Sequence, residues 1–170
     1  MNWKSTIVAV LAAVFVFALG SSPAAFAAQP TDACSLLTTA QVSGALGVTV
    51  GPGKHTNDPS IPAPPPPLDK LDCYWWQQGK SWIGAKRVVL ELVDPSYNFD
   101  HPLLGPGGTK IPVSGVGDAA YYVAMKNLTD LWVKKGSSIF HITIGGFADN
   151  DAGHVKAMAK KLAQQATAKL

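Results

Sequence analysis

Polar and apolar positions first divide the chain at its start. Behind Lys4 runs an unbroken apolar stretch, Ile7 to Leu19, followed by the small-residue sequence Ala25-Phe26-Ala27. A charged start, a short apolar run and an A-x-A site predict a secretory signal peptide over 1–27, with the exported protein starting at Ala28. The alternative, an uncleaved anchor, fits less well, because a membrane span takes about 20 apolar residues. No cysteine closes the apolar run, so a lipid anchor is not expected. The protein is therefore expected in the periplasm or the medium, with no transmembrane segment after cleavage.

The pattern then becomes helical. In "LLTTAQVSGALG" Thr38 takes the N-cap position and Gln41 falls at N3, a capping box, while Leu37 and Val42 are spaced as a hydrophobic staple. Gly47 stands where a left-handed cap ends a helix. From Gly51 to Lys70 periodicity disappears, and Pro64 to Pro67 predict an extended polyproline spacer. Period two follows. "RVVLELV" (87–93) alternates faces, and "DAAYYVAM" (118–125), "DLWVKK" (130–135) and "SIFHITI" (138–144) read as a meander with turns at "KNLT" and "KKGS". "CYWW" (73–76) adds a short aromatic strand. A closing helix follows, capped by Asp149 or Asp151, with Val155, Ala159, Leu162 and Ala166 on its buried side. These elements predict one α+β domain over 28–170. It is a two-layer sandwich of an about five-stranded antiparallel sheet with an N-terminal and a C-terminal helix.

Composition narrows the chemistry. A formal charge of +3 on 170 residues, with lysines in pairs such as Lys134-Lys135 and Lys160-Lys161, gives no electrostatic footprint for nucleic acid. The two cysteines, Cys34 and Cys73, are expected to form one disulfide in an oxidising compartment, two free thiols being the alternative. No histidine lies near either cysteine in sequence.

Several stretches together resemble an exported domain-of-unknown-function family common among actinobacteria. They are "DACSLLTTAQVSGALG", "CYW", "VSGVGDAAYY" and "LWVKKGSSIFHI", followed by the C-terminal helix. The resemblance rests on Cys34 before Leu36 to Thr38, on Cys73 and Trp75, and on Gly115 to Ala119. It implies a disulfide-linked α+β sandwich, distantly like extracytoplasmic sensor and carrier domains, and no known reaction.

Motifs for catalysis are missing from the sequence. "GVGDAA" precedes a strand rather than a helix and lacks Gly-Lys-Ser/Thr, so Gly115, Gly117 and Asp118 are expected to form a structural turn rather than a phosphate loop. His55, His101, His141 and His154 show no chelating spacing, and neither metal nor cofactor is expected. No Gly-x-Ser-x-Gly elbow occurs. Glu91 is the only glutamate, and nothing in the sequence pairs it with Asp94, Asp100 or Asp118 as a two-carboxylate site would require.

The aromatics remain as candidates. Neighbouring strand residues point to opposite faces, so Tyr74 and Trp76 share one side and Trp75 takes the other. The shared face favours Trp76 as the packed indole. One helical layer covers one face, which leaves Trp75, Trp76, Trp82, Tyr122 and Trp132 as candidate ligand-binding residues beneath the long 98–118 connection. The expected function is a non-enzymatic exported binding domain for a small molecule, lipid, glycan or protein. The alternative is a small secreted hydrolase with unassigned catalytic residues.

Overall fold

The computed structural model describes residues 30–55, 71–81, 84–94, 96–100, 109–125, 128–148 and 152–170. The predicted signal sequence, Pro64 to Pro67, Trp82, residues 126–127 of the predicted turn and the predicted caps Asp149 and Asp151 lie outside the described residues.

The first helix forms as its punctuation dictates. In α1 (Thr39–Leu46) the Thr38 side chain accepts from the Gln41 amide, the Gln41 side chain accepts from the Thr38 amide, and Gly47 closes the helix at φ 65°. A 3-10 turn (Ala33–Ser35) precedes it, capped by Asp32. Six strands follow: β1 (Asp72–Trp76), β2 (Arg87–Val93), β3 (Thr109–Pro112), β4 (Ala119–Met125), β5 (Leu128–Lys135) and β6 (Ser138–Gly145). The chain closes on α2 (Ala152–Thr167). The strands form one sheet in the order β1-β2-β6-β5-β4-β3, with every pairing antiparallel.

The sheet thus has six strands instead of about five. The additional strand, β3, lies inside the connection read as a loop. Its sequence, "TKIP", is four residues long and exposed throughout, so no alternation marks it. Val113 donates to the Ala120 carbonyl, which places Pro112 one position out of phase with the ladder bonds, facing the open edge. Proline is tolerated there because no ladder donor is needed, and it blunts the edge against further pairing.

The two faces of the sheet differ. Cys73, Leu90, Ile142, Leu131 and Tyr122 stand side by side across five strands and are buried against α1 and α2. One residue along each strand, Asp72, Glu91, His141, Trp132 and Tyr121 form the corresponding row on the face that carries no helix. A smaller cluster of Phe99, Tyr121, Val123 and Ile139, flanked by Val93, Tyr97 and Trp132, covers part of this second face.

Cys34 and Cys73 form a disulfide that ties the 3-10 turn to β1. In the chain-entropy model closing a loop of this length stabilises the fold by about 4 kcal/mol. Among the described residues no helix is long and apolar enough to cross a membrane.

Candidate functional site

Antiparallel register builds the site, bringing together residues that are far apart in sequence. Glu91 of β2, His141 of β6 and Trp132 of β5 are consecutive cross-strand neighbours on the helix-free face, and Asp130 lies one pleat along β5 on the same side. His141 Nδ1 is 2.9 Å from Asp130 Oδ1, and its Nε2 is 3.1 Å from Glu91 Oε2. Asp130 also accepts from Thr143 Oγ1 at 2.9 Å and from Trp132 Nε1 at 3.0 Å. Both ring nitrogens of His141 are therefore committed to carboxylates.

Burial sets the electrostatics of the cluster. Removal from water pulls the His141 pKa down, but the hydrogen bonds to Asp130 and Glu91 outweigh it and raise the value to about 9. Burial pushes Asp130 up, yet its bonds from His141, Thr143 and Trp132 leave it below the usual carboxylate range. These shifts favour a charged His141–Asp130 pair, with Glu91 bonded to the other ring nitrogen, a charge set that its own hydrogen bonds satisfy.

Aromatic rings cover it. Trp132 stacks on His141 with centroids 4.5 Å apart and planes 9° from parallel. Tyr97 also stacks on the indole, at 5.0 Å. Phe99 leans on Tyr121 at 4.8 Å, and Lys110 Nζ from β3 sits 4.2 Å from the Tyr121 ring. The Tyr121 hydroxyl is buried with no hydrogen-bond partner among the described residues, and burial raises its pKa. Tyr97 and Phe99 belong to the segment that opens the long connection. Among the described residues, Tyr97 and Phe99 pack over this part of the face.

The predicted aromatics are dispersed by this arrangement. Trp132 is at the centre. Trp75 is 1% exposed and lies in the helix-side core, so the packed indole of the pair is Trp75 and not Trp76. The reason is register: Trp75 stands opposite Val88, itself beside Ile144, on the face that α1 and α2 cover, and sharing a side with Tyr74 does not decide burial. Tyr122 is also core, its hydroxyl donating to the Lys156 carbonyl of α2 at 2.7 Å. Trp76 is on the helix-free face with Lys54 Nζ 5.7 Å from its ring, but on the edge strand, three strands across the sheet and four residues along it from Trp132. Trp82 lies outside the described residues.

The expected turn is present. Gly115 and Gly117 adopt φ of 75° and 56°, and a side chain at Gly117 would collide with the Lys134 carbonyl. Asp118 accepts from the Gly136 amide and from Lys135 Nζ, both at 2.7 Å, locking this turn to the β5–β6 hairpin. A cavity of about 360 Å³ opens between the turn and the end of α2, with Lys135 on its wall.

Sequence reasoning missed the core of the site. His141 and Glu91 sit at the partly polar positions of alternating strands, which is a visible signal. Their meeting depends on a β2–β6 pairing that alternation does not encode. It also missed that His55 reaches Cys34, with Nδ1 3.8 Å from Sγ, despite a sequence separation of 21. Comparison with family models, with characterised proteins and with solved structures finds no match to this chain.

Proposed function

We propose that the chain is a non-enzymatic, exported binding domain whose contact surface is the helix-free sheet face around Tyr97, Trp132, Tyr121 and Lys110. The observation that carries this reading is the three-ring stack His141–Trp132–Tyr97, anchored from below by Asp130 and Glu91. Rings held this way present apolar area at little further cost in conformational entropy. Tyr97 is only half-buried, so part of its ring is open to a ligand. A flat group with polar edges, such as a sugar ring, suits aromatic area bordered by an ammonium and carboxylates.

Binding is favoured over hydrolysis by the state of His141. A general base needs an uncommitted nitrogen within reach of the proton that it takes. Here neither nitrogen faces a hydroxyl or thiol, and Thr143 donates to Asp130 instead.

Native mass spectrometry of protein purified from the periplasm or medium tests the reading. The expected result is a bound species that Tyr97→Ala loses while its fold persists. Bare chain in every preparation, with turnover on a hydrolase panel, overturns it.

A further inference from the structure

We propose that reduction of the Cys34–Cys73 disulfide turns this corner of the fold into a zinc site of two thiolates, one imidazole and one carboxylate. Cys34 Sγ, a nitrogen of His55 and a carboxylate oxygen of Asp32 lie within 4.8 Å of one another. Cys73 is joined to Cys34, with Cα atoms 5.0 Å apart, so both sulfurs can turn to one ion. The site is separate from the aromatic face and does not depend on its function.

The imidazole has a second nitrogen to offer for this role. His55 Nδ1 donates to the Asp72 carbonyl at 2.7 Å, the outer contact that a metal-bound histidine normally makes through its second nitrogen. That leaves Nε2, which stands 3.6 Å from Asp32 Oδ1. A tetrahedral zinc with ligands at about 2.0–2.2 Å holds such a nitrogen and oxygen about 3.4 Å apart, so this pair needs almost no movement. Asp32 is itself fixed, because Oδ1 accepts from the Cys34 amide at 2.8 Å.

Gly53 makes the approach possible. A Cβ at this position would lie 2.6 Å from Cys73 Sγ and 2.8 Å from the Trp75 ring. Its absence lets residues 51–55 cross directly over the disulfide, held by exchanged bonds between Lys54 and Tyr74, and so brings His55 to the sulfurs.

Redox state gates the donor set. While the sulfurs are bonded to each other neither is a thiolate, and only His55 and Asp32 remain, too few for a structural zinc site. An external dithiol supplies the electrons. Its thiolate attacks Cys34 Sγ, which is half-buried where Cys73 is fully buried, forming a mixed disulfide and releasing Cys73. Its second thiolate then displaces Cys34, leaving the reagent as a disulfide and the protein with two thiols. Zinc displaces the two thiol protons on binding. Two thiolates with an imidazole and a carboxylate form a borderline-soft tetrahedral set that selects zinc over calcium or magnesium.

Calorimetric titration of the full chain with zinc, oxidised and phosphine-reduced, tests the site, with near-ultraviolet circular dichroism recorded alongside. One zinc per chain is expected in the reduced protein, bound at least roughly 100-fold more tightly than in the oxidised protein. His55→Gln and Asp32→Asn are each expected to weaken the reduced site by about tenfold or more, while both oxidised variants keep the native spectrum. Equal affinity in both redox states overturns the proposal. So does reduced affinity unchanged by both substitutions, which would mean thiols binding without the fold, or a near-ultraviolet signal lost on reduction and not restored by zinc.

Discussion

Trp75 and Trp76 are adjacent in sequence and opposite in role, which a pair of substitutions can separate. Trp75 fills the helix-side core, and its replacement by alanine is expected to cost about 3–5 kcal/mol. Trp76→Ala is expected to cost below about 1 kcal/mol, because the ring lies half-open at the sheet's edge. Thermal melts of the two variants side by side check this. Alternation identifies such a pair as split between faces, and it did so here. Which face a helix covers is a property of the assembled sheet, so the choice between the two indoles was not legible. His55 illustrates the same limit more sharply, since its approach to Cys34 depends on a crossing that only Gly53 allows.

Among the elements, β2, β6 and β5 each contribute one charged side chain to the cluster, and its pH dependence has a definite sign. The His141 pKa is raised in the fold from 6.5 to about 9, so its stabilisation is complete below 6.5 and fades as pH rises through 9. Asp130 is depressed, so its contribution holds above its ordinary value of 3.8 and is lost as pH falls below it. Stability is expected to be flat in mildly acidic solution and to decline between about pH 6.5 and about 9. Urea midpoints across that window check the decline, which His141→Gln should abolish. Removing the charge of one partner, as in Asp130→Asn, leaves the imidazolium with Glu91 as its one carboxylate and is expected to cost about 1–3 kcal/mol. Elements with strong local signals were legible: the capping box defined α1, and period two defined β2, β5 and β6. β3 was not, since four exposed residues ending in proline carry no period.

At the scale of the molecule, fold class and the single disulfide were readable because order of elements and cysteine count constrain them directly. Half the candidate site was not, because it depends on which strands meet across the sheet. β6 lies between β2 and β5, so the early strands β1 and β2 are attached to the meander through it alone. A chain ending at Gly136, without β6 and α2, is expected to show no cooperative unfolding transition, and denaturant titration followed by circular dichroism checks this. The same strand order bears on timing. Residues are made in sequence, so β2 leaves the ribosome long before the strand that must lie beside it exists. Neither layer can close until the last quarter of the chain has been synthesised. For the exported chain that we propose, such a delay would keep the polypeptide open while it is threaded through a narrow channel.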